Sequence, residues 1–132
     1  MSPSTIRILV VDDYEPFRRF VCSTLRKRPT LQIVGEAADG LEAVQNAEEL
    51  KPDLILLDIG LPTLNGIEVA RRISTVAPES KVIFVTQESS PDMMQATLNL
   101  GAWGYVLKAK AASDLLAAVD AVLLGKRFVS TI

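Results

Sequence analysis

The sequence predicts one α/β domain with a parallel sheet of five strands and five helices packed on both of its faces. Short, β-branched apolar runs recur at residues 6–11, 31–35, 54–57, 82–85 and 103–107, which is typical of buried strands. Segments between these runs carry apolar residues three and four positions apart, as on one face of a helix. Strict alternation of strand and helix favours a parallel sheet with right-handed crossovers.

The apolar positions of the first three predicted helices span residues 17–25, 41–50 and 67–77. The fourth helix is expected to begin near Ser90-Pro91 and to end before Gly101, and the fifth to run from 113 to 124. Proline and capping residues mark their ends. Pro16 lies in the first turn of helix one, Pro78 closes helix three, Ser90 caps helix four, and Gly125 stops helix five.

Strand composition predicts the order of the strands. The first, third and fourth are almost entirely apolar, as expected of strands covered on both faces. The second contains Gln32 and the fifth has polar or small interruptions, so these two are expected at the edges. The doubly wound order 2-1-3-4-5 satisfies both conditions, and it places the ligand crevice beyond the carboxyl ends of strands one and three.

Size, charge and composition restrict the class of protein. A chain of 132 residues that is 48% apolar buries enough surface for one unaided domain. A net charge of -2 gives no general attraction to nucleic acid or anionic membrane. Met1 to Thr5 lacks a signal-peptide pattern, and no apolar run approaches the ~20 residues that span a bilayer. One cysteine, Cys22, cannot form an internal disulfide, so we expect a cytoplasmic protein.

The sequence contains no histidine, which excludes imidazole-dependent catalytic triads and the usual zinc ligand sets. Asp12 and Asp13 end strand one, and Asp58 ends strand three. Clustered carboxylates need a cation, and their hard oxygens suit Mg²⁺. Thr86 and Lys108, which end strands four and five, add a hydroxyl and a positive charge, so this edge predicts a phosphoryl-transfer site with Asp58 as nucleophile.

Each of these residues alone has an ordinary structural explanation. Asp12 or Asp13 would serve as a helix N-cap, Asp58 as a turn residue, and Lys108 as a solvated surface side chain. Thr86 would be an ordinary strand residue. Their convergence at four strand ends favours the site.

The sequence resembles the receiver domain of two-component response regulators over residues 6–128. The motifs that carry the resemblance are Ile8-Leu9-Val10-Val11-Asp12-Asp13, Leu56-Leu57-Asp58, Leu61-Pro62 with Asn65-Gly66, Val85-Thr86, and Gly101-Ala102 through Gly104-Tyr105-Val106-Leu107-Lys108. The resemblance implies a flavodoxin-like fold and a signalling switch that turns over no external substrate.

The same resemblance implies a role for each site residue. Asp58 would be phosphorylated by a sensor histidine kinase. Mg²⁺ would be held by Asp13, Asp58 and the backbone carbonyl of Gly60, with Asp12 acting through water.

Lys108 would pair with the phosphoryl group and Thr86 would hydrogen-bond it. Tyr105 would change rotamer and move the surface made by helix four, strand five and helix five. From the residues alone, Tyr105 is an aromatic side chain on an edge strand.

The stretch from Gly125 to Ser130 resembles the start of the linker in NarL/LuxR-type transcriptional regulators. We therefore expect a receiver domain at 1–125, and at 126–132 the start of a linker to a helix-turn-helix DNA-binding domain beyond Ile132. A basic turn after a helix is also a common C-terminal cap. Apolar residues spread widely around helix five, and they either are simply buried or form an interface with an effector domain or a second copy of the chain. A homodimer would use helix five, or the face made by helix four, strand five and helix five.

Two positions depart from the family pattern. Gln87 stands where a small residue is usual, and its bulk would narrow access to Asp58. Gly60 provides no side chain to shield or orient the water that hydrolyses the phosphorylated aspartate. The sequence does not determine whether this glycine lengthens or shortens the lifetime of the phosphorylated state.

Two other classes of protein compete with this interpretation. A haloacid dehalogenase-like phosphohydrolase also uses an aspartate nucleophile at a strand end, but it needs a second aspartate at position 60, which is glycine here. A receiver-like interaction protein that works without phosphorylation is disfavoured by the complete acidic set, although Gln87 keeps it open.

Overall fold

A computed structural model describes residues 5–131 of the chain. Residues 1–4 and Ile132, which belong to the N-terminal segment and to the expected linker, lie outside the described residues. The strands are β1 (Ile6–Val11), β2 (Leu31–Ala37), β3 (Leu54–Leu57), β4 (Lys81–Thr86), β5 (Gly104–Leu107) and β6 (Phe128–Val129). The helices are α1 (Glu15–Leu25), α2 (Gly40–Leu50), α3 (Gly66–Val76), α4 (Pro91–Asn99) and α5 (Ala111–Leu123), with one 3-10 turn at Lys108–Lys110.

Within residues 5–131, six strands form one parallel sheet in the order β2-β1-β3-β4-β5-β6. The predicted order of the first five strands is confirmed, but the predicted number of strands is wrong. The sixth strand lies within the segment expected to begin a linker. The Phe128 amide donates to the Trp103 carbonyl at 3.1 Å, and the Ser130 amide donates to the Tyr105 carbonyl at 2.8 Å. A strand of two residues after a polar turn is too short to show an alternating apolar pattern.

β6 changes the environment of β5. Because β6 pairs along its outer side, β5 is not an edge strand, and the interpretation of Tyr105 as an edge aromatic is wrong: its side chain is fully buried. The face expected to be formed by helix four, strand five and helix five therefore includes β6 beside β5.

The sheet separates two apolar cores, as a doubly wound fold requires. On one face, Ile8, Val10, Leu54 and Leu56 pack against α1 and α5. The alternate residues of the same strands pack on the other face against α2 and α3. Cys22 belongs to the first core and is buried with a free thiol. Within residues 5–131, no helix is both long and apolar enough to cross a membrane.

Side-chain caps set the starts of three helices. Asp39 accepts from the Glu42 amide at the start of α2, and Asn65 accepts from the Glu68 amide at the start of α3. Ser90 caps α4 as predicted, accepting from the Met93 amide at 3.4 Å. Such caps satisfy amides that have no partner within the helix, and they fix where each helix leaves the sheet.

The hydroxyl of Ser130 holds the end of the sheet together. It accepts from the Leu107 amide at 3.1 Å and donates to the Asp114 carboxylate at 2.7 Å. We expect Ser130→Ala to lower the free energy of unfolding by about 1–3 kcal/mol in urea denaturation, because it leaves a buried amide unpaired. Ser74→Ala is the matched control, since that exposed hydroxyl bonds within its own helix. Equal effects of the two substitutions would contradict this account of β6.

Candidate functional site

Three carboxylates meet at the carboxyl ends of β1 and β3. The Asp12 amide donates to the Ala37 carbonyl of β2, and the Asp58 amide donates to the Val11 carbonyl of β1. These backbone bonds continue the sheet and place both side chains at one edge. Oxygen atoms of Asp12, Asp13 and Asp58 all lie within 4.8 Å of one another. The structure therefore brings together the acidic residues that the strand order predicted.

Lys108 joins two of these carboxylates. Its Nζ lies 2.8 Å from Asp12 Oδ2 and 3.2 Å from Asp58 Oδ2. Only 18% of the Lys108 side chain is exposed, so it is not the solvated surface lysine of the alternative explanation. Charged hydrogen bonds of this kind are stronger than neutral ones, and they fix the ammonium between the strand ends.

The charges of this cluster are only partly compensated. Burial by itself would lower the pKa of Lys108, but the hydrogen bond that Lys108 donates to Asp12 and the charge of Asp58 outweigh it, and the net direction is upward. Burial raises the pKa of the Asp12 carboxyl, and its hydrogen bond to Lys108 only partly offsets that effect. Both pKa values shift upward, which favours the charged form of Lys108 and the neutral form of Asp12. One ammonium does not balance three carboxylates, and the set accommodates a further cation.

The remaining oxygens of the buried carboxylates bond to backbone amides. Asp58 Oδ1 accepts from the amide of Ile59 at 2.8 Å, and Asp12 Oδ1 accepts from the amide of Tyr14 at 2.9 Å. Tyr14, not Asp12 or Asp13, is the N-cap residue of α1, and its side chain makes no capping bond. These bonds orient each carboxylate and leave its second oxygen toward Lys108. The turn role considered for Asp58 therefore coexists with its place in the cluster.

Thr86 and Tyr105 are connected through the backbone of Glu88. Thr86 is buried, and its hydroxyl oxygen accepts from the Glu88 amide at 3.2 Å. The Tyr105 hydroxyl donates to the Glu88 carbonyl at 2.5 Å. Burial, with a smaller contribution from the Glu88 charge, raises the pKa of Tyr105 to about 12, so this hydroxyl keeps its proton at neutral pH. Sequence reasoning gave Glu88 no role, because it connects Thr86 and Tyr105 through its backbone amide and carbonyl, which any residue provides.

A cavity of about 600 Å³ opens beside the cluster. It is lined by residues predicted for the site, namely Asp13, Asp58, Gly60, Thr86, Gln87 and Lys108. Gln87 and Gly60 are exposed at this opening. Tyr14 and Phe17 also line the cavity, and the Phe17 ring centroid lies 4.7 Å from Lys108 Nζ. Sequence reasoning assigned Phe17 only to the apolar stripe of helix one.

A family model described as "Response regulator receiver domain" matches residues 8–120. The chain belongs to this family. It is therefore a receiver domain of the response regulators of two-component systems, and the resemblance identified from the motifs is confirmed. Family membership and Gly60 together weigh against the phosphohydrolase alternative.

The receiver domain is similar to transcriptional regulators. It is 35% identical over 125 residues to the response regulator GacA of Pseudomonas viridiflava, covering 95% of this chain and 58% of that protein. It is 34% identical to the transcriptional regulatory protein LiaR of Bacillus subtilis, covering 92% of this chain and 57% of LiaR. The chain thus spans a little more than half the length of these relatives.

Solved structures of receiver domains have the same fold. A LuxR-family two-component response regulator from Aurantimonas sp. SI85-9A1 aligns with a TM-score of 0.89 at 33% identity, covering 95% of this chain and 89% of that one. The signal receiver domain of the putative response regulator NarL from Mycobacterium tuberculosis aligns with a TM-score of 0.87 at 29% identity, covering 94% of this chain and all of that one.

Gly66 lets α3 of the receiver domain approach the phosphoacceptor candidate. A Cβ at this position would lie 2.1 Å from the Asp58 carbonyl oxygen and 2.7 Å from Ile59 Cα. The Gly66 amide also donates to the Ile59 carbonyl at 2.6 Å. Sequence reasoning placed Gly66 only in a turn and gave it no role at the site, although a glycine directly after an N-cap asparagine was the available signal.

Gly66→Ala is expected to reduce the free energy of unfolding by about 2 kcal/mol or more, because the clash is with backbone that cannot move freely. Urea denaturation followed by circular dichroism measures the change. Gly60→Ala is the control, since a Cβ there meets nothing within 4 Å, and it should change stability by less than about 0.5 kcal/mol. A Gly66→Ala protein as stable as Gly60→Ala would show that this close approach is unimportant.

Proposed function

We propose that Asp58 accepts a phosphoryl group from the phosphohistidine of a sensor histidine kinase, with Mg²⁺ bound beside it, and that the phosphorylated domain regulates transcription. The observation that carries the proposal is the convergence of three carboxylates within 4.8 Å, two of them bridged by Lys108. Phosphoryl transfer needs a nucleophile, charge shielding and donors for the phosphoryl oxygens. Asp58 would be the nucleophile, Lys108 and Thr86 would be the donors, and the carboxylates would hold a metal ion that shields the charge.

The donor set at this edge fits Mg²⁺. All candidate ligands are oxygen atoms, which this ion prefers, and Asp13 and Gly60 are exposed, which leaves room for the waters that Mg²⁺ retains. Asp13, Asp58 and the Gly60 carbonyl would hold the ion, with Asp12 acting through water. When bound, Mg²⁺ supplies charge shielding between the incoming phosphoryl oxygens and the carboxylates.

The transfer step follows from the placement of Asp58 and Lys108. A carboxylate oxygen of Asp58 forms a bond to phosphorus while the phosphorus–nitrogen bond of the donor histidine breaks, and the imidazole leaves with the electron pair. The Lys108 ammonium, already 3.2 Å from Asp58 Oδ2, is placed to pair with a phosphoryl oxygen. Attack by water on the same phosphorus, with cleavage of its bond to the Asp58 oxygen, releases inorganic phosphate and restores the carboxylate. The domain thus promotes its own phosphorylation and dephosphorylation and is not an enzyme with an external substrate.

The bonds around Glu88 provide a route from the site to the surface. If the Thr86 hydroxyl turns to donate to the phosphoryl group, the Glu88 amide loses its acceptor. The Glu88 carbonyl moves with that peptide segment, and the Tyr105 hydroxyl loses its present partner. Repacking of Tyr105 would then alter the surface formed by α4, β5, β6 and α5.

The partners follow from this switch. We assign the signal to a sensor histidine kinase and the output to DNA, contacted only through a helix-turn-helix domain after the linker segment. A homodimer through α5 is supported by Leu123 and Leu124, whose side chains are 40% and 74% exposed. We also propose a cytoplasmic location with no membrane partner; the location fits a chain whose one cysteine, Cys22, is buried and forms no disulfide.

Asp58→Asn tests the proposal directly. With acetyl phosphate and Mg²⁺, the native chain should gain one phosphoryl group by intact mass, whereas Asp58→Asn should gain none. Beryllofluoride with Mg²⁺ should shift amide resonances around Thr86 and Tyr105 in the native chain alone. Asp92→Asn, which removes an exposed carboxylate on α4, should behave like the native chain. Equal labelling of native chain and Asp58→Asn, or no labelling of either, would refute the proposal.

Gln87 should slow the access of small phosphodonors to Asp58. Gln87→Ala is expected to label about threefold faster with acetyl phosphate, which corresponds to about 0.6 kcal/mol of activation free energy. Gln87→Leu is the matched control, because it keeps the bulk but removes the amide, and it should label at the native rate. An unchanged rate for Gln87→Ala would show that bulk at the cavity opening does not limit access. The effect of Gly60 on the lifetime of the phosphorylated state is measured separately. The decay of the phosphorylated native chain is followed after the donor is removed.

A further inference from the structure

Phe17 provides an uncharged contact for the ammonium of Lys108. The Nζ atom lies 4.7 Å from the centroid of the Phe17 ring, within the range of cation–π attraction. The same atom bonds to Asp12 and Asp58. Lys108 is therefore held from two sides, by carboxylates at the strand ends and by an aromatic ring on α1.

The ring of Phe17 is itself held in place. Phe17 is partly buried and packs against the core between the sheet and helices α1 and α5. Its ring contacts that of Phe20, with centroids 5.6 Å apart and planes inclined by 39°. Pro16, immediately before it, lies in the first turn of α1, where its fixed φ stabilises the helix start. Phe17 thus lies in the first turns of the helix that follows Asp12 and Asp13, only four residues after Asp13.

An aromatic contact suits this cluster better than another anion. A fourth carboxylate would add to the repulsion among Asp12, Asp13 and Asp58. The ring attracts the ammonium through its quadrupole without adding net charge. It therefore restricts Lys108 without competing with a cation for the carboxylate oxygens.

We propose that Phe17 is a positioning residue for phosphoryl transfer, whose ring face keeps the Lys108 ammonium at the site as the phosphoryl group arrives at Asp58. The inference rests on the proposed function and adds a residue to it. Phe17 lines the same cavity as Asp58 and Lys108, yet it acts on the reaction only through Lys108.

The experiment compares the labelling rate with acetyl phosphate and Mg²⁺ among four substitutions. Phe17→Tyr keeps the ring and should label within about twofold of the native rate. Phe17→Leu and Phe17→Met fill the space without a ring and should label about two- to fivefold more slowly. Trp103→Leu is the matched control, because it removes another ring that contacts a lysine. Lys81 Nζ lies 4.3 Å from the centroid of the Trp103 ring, and Lys81 begins β4, at the end of that strand away from the site. Trp103→Leu should label at the native rate.

A second readout separates positioning of Lys108 from general damage to the fold. Ring currents of Phe17 should displace the ε-methylene proton resonances of Lys108, which are identified by their loss in Lys108→Met. Phe17→Tyr should keep the displaced resonances, and Phe17→Leu and Phe17→Met should lose them. Because two non-aromatic variants are used, failure of either to fold leaves the other to decide.

Two results would overturn the inference. One is native-rate labelling of Phe17→Leu or Phe17→Met, and the other is a Phe17→Tyr protein that labels as slowly as they do. Either would leave the proposed function intact, provided that the native chain labels and Asp58→Asn does not. If the native chain itself fails to label, the proposed function and this inference fall together.

Discussion

The position of the Lys108 ammonium between Asp12 and Asp58 is the interaction on which the acidic site depends. Three carboxylates at adjacent strand ends repel one another, and burial strengthens that repulsion because little water screens it. Lys108 relieves it from β5, which is not a neighbour of either acidic strand in the sheet. The parallel order makes this reach feasible, since it brings the carboxyl ends of all these strands to one edge. The same arrangement leaves Asp13 open to water, where a hydrated cation fits.

The surrounding backbone is arranged to keep this edge compact. Amides of Ile59 and Tyr14 bond to the buried carboxylates, so each acidic side chain is oriented by the loop that carries it. Gly66 brings α3 to within contact of the Asp58 carbonyl, and the Asn65 cap fixes the start of that helix. The precision of the site therefore comes from loop geometry supported by the sheet, and not from the acidic residues alone.

Much of this edge was predictable from the sequence, because Asp12, Asp58, Thr86 and Lys108 each directly follow an apolar run or end it, and strand composition orders those runs. β6 was not predictable, since two residues show no periodicity and their pairing with β5 rests on long-range backbone bonds to Trp103 and Tyr105. The burial of Tyr105 was missed for the same reason. The contact of Phe17 with Lys108 was not predictable, because the two residues are far apart in the sequence. Helical spacing identifies the apolar face of a helix, but it does not identify the residues that this face contacts.

β6 also changes how the far end of the chain relates to the site. The Ser130 hydroxyl bonds to the amide of Leu107, the residue immediately before Lys108, and Lys110 bonds to the carbonyl of Thr131. The last described residues thus bond to the chain on both sides of Lys108. The charged edge and the C-terminal segment are therefore joined directly, by the pairing of β6 with β5 and by two side-chain bonds on either side of Lys108.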